Sequence, residues 1–255
     1  MQIKNKIAIV TGGASGLGAA TVRQLHFSGA HVYIADLKEK EGNDLANELG
    51  SQVTFIRTDV SSNTSMNQAI NTVLEQKKSL HLLVNCAGIA LAEKVLSKEK
   101  THDLDRFIHI LQVNLVGTFN ALRLSAAAMI NNQPTEEGER GVIINTASVA
   151  AFEGQIGQAV YAASKGGIAA LTLPSARELA HWGIRVLAIA PGIFDTPLLA
   201  GLPEKARTSL GQQVPFPSRL GHPQEYALLV EHIISNIMLN GETIRLDGGL
   251  RMAPR

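Results

Sequence analysis

The chain has 255 residues, 45% of them hydrophobic and 18% charged, and its 23 glycines and 9 prolines are too few and too scattered for a collagenous or low-complexity protein. Its 23 Lys and Arg nearly balance 22 Asp and Glu, a formal charge of +1, so broad attraction to nucleic acid or to an anionic membrane is not expected. The lone cysteine, Cys86, excludes an intramolecular disulfide framework and suits a reducing compartment, with the cytoplasm as the default.

The amino-terminal Lys4, Lys6 and the apolar Ile7–Val10 read as a first strand, Lys6–Thr11, rather than a signal peptide, because the apolar run is short and enters a glycine turn. A helix is expected over Leu17–Ser28, then strand His31–Asp36, helix Glu39–Leu49, strand Val53–Arg57 and helix Thr64–Lys77. Strand Leu80–Cys86 precedes a polar insertion, Ala92–Asp103, and one long helix, Leu104–Met129. A second polar insertion, Asn131–Arg140, leads to strand Val142–Ala147, helix Ala159–His181, strand Arg185–Ala190, helix Pro223–Asn236 and strand Thr243–Leu246. Several strands are near-continuous apolar runs, as expected where helices cover both faces of a parallel sheet. The expectation is an α/β fold, a single-domain Rossmann-like doubly wound sheet of seven parallel strands spanning residues 1–255, in which Ile193–Leu220 is mobile or covers the substrate. No apolar run approaches the roughly 18 to 20 residues that span a bilayer, so no membrane association is expected.

The first strand ends in Thr11-Gly12-Gly13-Ala14-Ser15-Gly16-Leu17-Gly18. Gly12, Gly16 and Gly18 allow a tight turn and close backbone approach to a pyrophosphate, beside Ser15, Leu17 and the amides of a helix N-terminus. Asp36, with Leu37 after it, stands where a carboxylate accepts hydrogen bonds from the adenine ribose hydroxyls and repels a 2′-phosphate, which favours NAD over NADP despite the neighbouring Lys38. Asp59-Val60 and Asn85-Cys86-Ala87-Gly88 follow strands three and four, where adenine and its ribose would lie; taken singly they also suit turns. Cys86 reads as a buried small hydrophobe rather than a nucleophile. Past the sixth strand, Pro191-Gly192-Ile193 offers backbone to a nicotinamide carboxamide, and Thr196 a hydroxyl to the carboxamide or pyrophosphate.

Tyr161-Ala162-Ala163-Ser164-Lys165 carries the sharpest chemistry. On a helix, residues four apart share a face, so the Lys165 ammonium lies near the Tyr161 phenol and is expected to lower its pKa from about 10 toward working pH. Tyr161 then takes a proton from an alcohol or returns one to a carbonyl. Ser148 is placed to hydrogen-bond the same substrate oxygen, and Asn114 to bind a water connecting Lys165 to solvent. Gln155 and Gln158 are further candidates for substrate contact, with nonpolar walls from Val149–Phe152 and Leu198–Leu202. The eight histidines show no metal-ligand spacing, so no metal is expected.

Together these motifs resemble the short-chain dehydrogenase/reductase family along essentially the whole chain. Its glycine motif matches Thr11–Gly18, its Asn-Asn-Ala-Gly matches Asn85–Gly88 with Cys86 at the second position, and its catalytic residues match Asn114, Ser148, Tyr161 and Lys165. The resemblance implies hydride exchange between nicotinamide and a carbinol carbon, with Lys165 also holding the nicotinamide ribose. Residues Arg140–Gln155, Pro215–Gly221 and Asn240–Glu242 are similar to the type 2 3-hydroxyacyl-CoA dehydrogenase subgroup, whose members also act as 17β-hydroxysteroid dehydrogenases. That likeness implies NAD-dependent oxidation of short or branched 3-hydroxyacyl-CoA by a homotetramer. Lys94, Lys98 and Lys100 in the first insertion are candidates for attracting CoA phosphates. Three other readings stay open: a 3-oxoacyl-carrier-protein reductase, a steroid alcohol dehydrogenase, and a non-catalytic scaffold in an RNA-processing assembly.

Overall fold

The computed structural model describes residues 1–197, 199, 201 and 203–254. In chain order the elements are β1 (Ile7–Thr11), α1 (Gly16–Phe27), β2 (His31–Asp36), α2 (Glu39–Leu49), β3 (Val53–Arg57), α3 (Asn63–Lys77) and β4 (Leu82–Asn85). They continue with α4 (Leu104–Leu111), α5 (Gly117–Met129), β5 (Gly141–Thr146), α6 (Ala159–Leu179), β6 (Ile184–Pro191), α7 (Glu204–Gln212), α8 (Pro223–Ser235) and β7 (Thr243–Leu246). The strands form one sheet in the order β3-β2-β1-β4-β5-β6-β7, and all their pairings are parallel.

Alternation along each strand sends neighbouring side chains to opposite faces, and both faces are dry. Ala8, Val10, Val142 and Ile144 pack with Val22 and Leu25 of α1 and Val230 and Ile233 of α8. Ile7, Ile9 and Ile143 point the other way, onto Met66 and Ile70 of α3 and Leu122 and Met129 of α5. Burying each such aliphatic side chain contributes about 1.5 to 3 kcal/mol. The strand order reverses between β1 and β4, which are neighbours in the sheet, while the chain leaves β1 for β2. A crevice at the carboxyl ends follows from that reversal.

Two local expectations change, and a third falls partly outside the described residues. The helix read as continuous over Leu104–Met129 is interrupted by a π-helical turn, Gln112–Val116, that holds Asn114; its apolar residues run on without a break, so composition does not reveal the wider turn. Within 193–220 lies α7, whose sequence EKARTSLGQ is too polar to show a helical stripe. Of the nonpolar wall expected at Leu198–Leu202, residues 198, 200 and 202 lie outside the described residues.

The Asn131–Arg140 insertion is more than surface. Asn132 is buried and donates from Nδ2 to Leu80 O (2.6 Å) and Arg140 O (2.9 Å). Glu139, 3% exposed, accepts from Nε of the equally buried Arg185 at 2.6 Å. The remaining guanidinium hydrogens end α8 by donating to Ile233 O, Ile234 O, Asn236 O and Leu239 O. Removing one partner of a buried pair leaves an uncompensated charge, at a cost of about 3 to 5 kcal/mol. Glu139→Ala is therefore expected to lower the unfolding free energy by about that amount, read from the urea midpoint at unchanged slope.

Candidate active site

At the reversal point, Gly12 follows β1 with φ of +64°, and a Cβ built on it would lie 2.6 Å from Ala87 N, past the end of β4. Only glycine admits both the backbone angle and the approach. A Cβ on Gly18 would lie 2.1 Å from Gly12 O, so the first turn of α1 folds directly against the loop. Ser15 precedes α1 with an extended backbone and makes no side-chain cap, and the first turn, holding Gly16, Leu17 and Gly18, contains no acidic residue. The positive end of the helix is left without a counter-charge from its own turn, the arrangement that receives a phosphate. Thr196 faces this cradle across Gly16, whose Cβ would lie 3.5 Å from Thr196 Cβ.

Asp36 ends β2 beside the loop. Its Oδ2 accepts from Ala14 N at 3.0 Å and its Oδ1 from Lys38 N at 3.0 Å, so the carboxylate is aimed by backbone donors and Leu37 stands exposed next to it. Each oxygen keeps further acceptor capacity for a diol. Asp59 is used differently: its Oδ1 closes a turn by accepting from Ser61 N (2.9 Å) and Ser61 Oγ (2.6 Å). The Val60 side chain is buried against α5, since a Cβ on Gly117 would lie 2.7 Å from Val60 Cγ2. Its role toward a ligand is then limited to backbone, because tertiary packing has claimed the side chain.

Cys86 lies near Thr146 and Tyr226, with Sγ contacts of 3.7 and 3.8 Å to their hydroxyl oxygens. Burial pushes its thiol above the ordinary range, as expected of an unreactive packing residue. Ala87 N donates to Thr11 Oγ1 at 3.3 Å. A Cβ on Gly88 would lie 3.3 Å from Asn114 Oδ1 and 3.6 Å from Lys165 Nζ, which locates this loop over both.

Asn114 is fully buried. Its Oδ1 accepts from Ile89 N at 2.8 Å, and its Nδ2 donates to Ile89 O (2.9 Å) and Ser164 Oγ (3.1 Å). Both amide hydrogens are thus committed to holding the Gly88 loop against α6. The expected water contact from this side chain is reduced to what a second Oδ1 lone pair can accept. Ser164, which the sequence reading passes over, completes the tie by donating to Tyr161 O at 2.7 Å.

Ser148 follows β5 and caps a 3₁₀ turn, Val149–Ala151, accepting from Ala150 N at 3.1 Å. Its hydroxyl proton remains available to a second partner. Tyr161 and Lys165 share a face of α6, with Nζ 5.9 Å from the phenol ring centroid. Lys165 Nζ donates to Thr146 O at 2.7 Å, and burial lowers its pKa to about 8. The phenol departs from expectation. Burial pushes Tyr161 above its usual value and the Ser148 hydroxyl opposes the rise; the dry surroundings that enclose Lys165 penalise the phenolate as well. Thr146 itself is held from behind by Tyr226 of α8, with hydroxyls 2.8 Å apart.

Gln155 and Gln158 each engage one side-chain atom within the chain: Gln155 N donates to Gln158 Oε1 at 3.0 Å, and Gln155 Nε2 donates to Ala253 O at 3.0 Å. Pro191 closes β6, and Gly192 packs so tightly on Asp247 that a Cβ would lie 2.9 Å from its Cα. Ile193 O accepts from Gly221 N at 2.9 Å, tying together the two ends of the segment 193–221. A cavity of about 440 Å³ opens from Ile89 toward α4, lined by Asp105, Arg106 and His109 among others. A second of about 320 Å³ adjoins it at Glu93, Lys94, Lys100 and Arg106. Neither includes Ser148 or Tyr161 in its wall. Lys100 is paired with Glu93 at 2.9 Å, which removes much of its charge from the set expected to meet phosphate. Among the described residues, no group of three His, Cys, Asp or Glu could hold a metal ion, and no helix is long and apolar enough to cross a membrane.

The comparisons agree with this geometry. The short chain dehydrogenase family model matches residues 6–207. A 3-hydroxyacyl-CoA dehydrogenase type-2 of Drosophila melanogaster is 53% identical over 255 residues, covering 99% of this chain and 100% of the relative. The Homo sapiens protein of the same name is 54% identical, covering 99% and 98%. The crystal structure of 3-hydroxyacyl-CoA dehydrogenase type-2 from Mycobacterium avium superposes with a TM-score of 0.95 at 42% identity, covering 98% of each chain. A doubly wound sheet, a glycine cradle at its reversal point and a Tyr–Lys pair beside it accompany a match over most of the length, and this chain belongs to the short chain dehydrogenase family.

Proposed function

We propose that this enzyme oxidises 3-hydroxyacyl-CoA esters reversibly with NAD. The carrying observation is the convergence of Ser148, Tyr161 and Lys165 beside the open N-terminus of α1, in a chain more than half identical to proteins named 3-hydroxyacyl-CoA dehydrogenase type-2. Family and fold imply a nicotinamide nucleotide, which when bound accepts hydride from the carbinol carbon or returns it. Residues Gly12–Gly18 with Thr196 would hold its pyrophosphate, Asp36 its adenosine ribose, Val60 and Cys86–Gly88 the adenosine edge, Lys165 its second ribose, and the Pro191–Ile193 backbone its carboxamide.

Ser148, already accepting from Ala150 N, donates its proton to the substrate oxygen and orients it. In oxidation the Tyr161 phenolate takes the hydroxyl proton; in reduction the phenol gives it back. Lys165, braced on Thr146 O, stabilises the phenolate by charge. Asn114 fixes the Gly88 loop above the pair. The thioester's CoA would extend toward the basic rim, where Lys94 lines the second cavity beside Arg106, with Lys98 nearby in sequence. Exposed apolar residues on α4 and α5, including Ile108 and Phe119, support assembly as a homotetramer, and the near-zero charge supports a small-molecule rather than nucleic-acid partner. The single, partly buried Cys86, which is not in a disulfide, suits a reducing cytoplasm.

Tyr161→Phe is expected to lower kcat by about 10² to 10⁴ while NADH binding, read by fluorescence, persists. Because burial raises the phenol pKa, the wild-type oxidation rate should climb with pH through the alkaline range, whereas reduction, which uses the protonated phenol, keeps its rate at neutral pH. A Tyr161→Phe variant at half the wild-type kcat removes Tyr161 from this role.

Asp36 should make the enzyme prefer NAD(H) strongly over NADP(H), and Asp36→Ala should narrow the ratio of kcat/KM values. Equal efficiency with both cofactors in the wild type overturns the NAD assignment.

Acetoacetyl-CoA should be reduced with far higher kcat/KM than free acetoacetate, since binding energy from the remote CoA orients the keto group. Comparable values for the two would leave a generic alcohol dehydrogenase. Replacing Lys94 and Lys98 with Ala should raise the acyl-CoA KM if they meet its phosphates.

A further inference from the structure

The wall carrying Ser148 and Tyr161 and the wall ending in Gly192 come from different strands, and Arg245 joins them, with the more exposed Arg251 looser on the same two carboxylates, 3.4 Å from Glu153 and 3.3 Å from Asp247. Arg245, third residue of β7, donates from Nη1 to Glu153 Oε1 (2.9 Å) and from Nη2 to Glu153 Oε2 (3.1 Å), a two-pronged pair. From Nε it donates to Asp247 Oδ2 (2.7 Å), and a second Nη2 hydrogen reaches Leu250 O (2.9 Å). Glu153 lies between Ser148 and Tyr161 in the chain. Its own N donates to Val149 O (3.0 Å), and the next residue, Gly154, presses on α6 where a Cβ would lie 2.8 Å from Ala162 Cβ, one residue past Tyr161. Asp247 is the residue against which Gly192 packs, and Gly192 N donates to Leu246 O at 2.9 Å. The carboxyl-terminal segment reinforces the junction, since Met252 N donates to Glu153 Oε2 (3.1 Å) and Ile156 N to Pro254 O (3.0 Å). Arg245 and Glu153 are each only about a fifth exposed, and the Asp247 side chain 8%.

We propose that Arg245 is a positioning residue that sets two parts of the active site independently: through Glu153 the spacing of Ser148 from Tyr161, and through Asp247 the backbone at Gly192–Ile193. It touches neither substrate nor cofactor in this account, and it rests on the roles assigned to Ser148, Tyr161 and Ile193 above. Two carboxylates on one planar fork need arginine, because a lysine ammonium is a point charge without the matching geometry.

The two arms separate in kinetics. Glu153→Gln should lower kcat with acetoacetyl-CoA about tenfold to a hundredfold, the scale of a misplacement of roughly 1 Å, while the NADH dissociation constant stays within twofold. Asp247→Asn should show the reverse emphasis, weaker NADH binding by fluorescence with a smaller effect on kcat. Arg245→Gln should combine both losses, and Arg245→Lys should recover less than half of either. A purely structural role would instead lower the melting temperature and the number of NADH sites together, leaving kcat per bound site and the NADH dissociation constant unchanged; that result overturns the proposal, as do wild-type values throughout. Should Arg245→Gln not fold, Glu153→Gln and Arg245→Lys, which keep the side-chain length, decide the matter alone. A parallel Tyr161→Phe sample separates the two levels: if it stays active the site assignment itself falls, and if it is inactive while Glu153→Gln is normal, only the clamp falls.

Discussion

The backbone contact between the turns after β1 and β4 constrains everything around the site. Gly12 and Ala87 approach so closely that no side chain fits between them, because the chain leaves β1 toward one edge of the sheet and β4 toward the other. That reversal opens the crevice in which a helix N-terminus, a β2 carboxylate and the β4 loop converge. The glycines do not make the crevice; they permit the backbone to line it without filling it.

Electrostatics in the site follow from dryness more than from pairing. Lys165 and Tyr161 are neighbours on one helical face, yet burial disfavours the charged form of each, lowering the lysine and raising the phenol. The opposing groups are neutral: the Thr146 carbonyl under the ammonium and the Ser148 hydroxyl beside the phenol. Behind the pair, Tyr226 meets Thr146 and Asn114 donates to Ser164.

Two arginines on neighbouring strands lie toward opposite ends of the sheet's strands. Arg185, near the start of β6, is buried with Glu139 and ends α8, far from the crevice. Arg245, at the end of β7, lies at the functional edge and grips the loops that carry the site. The same side chain serves overall stability in one place and local spacing in the other, because catalytic loops emerge only from the carboxyl ends of parallel strands.

Much of the molecule was legible in the residues alone. Apolar strand runs and the glycine turn indicated a doubly wound sheet, and the spacing of Ser148, Tyr161 and Lys165 indicated their shared neighbourhood, since these signals are local and periodic. Contacts between distant segments were not legible. The π-helical turn that holds Asn114 lies in a stretch whose helical pattern continues through it, the polar α7 lacks a stripe, and the contacts of Gln155 with Ala253 and Gln158 are made by the folded chain. Nor could residue types reveal that burial pushes the phenol up, or that Glu153 meets Arg245 across 92 residues. A sequence records propensity and spacing along one dimension, whereas desolvation and long-range pairing exist only once the sheet has closed and decided which groups share a dry space.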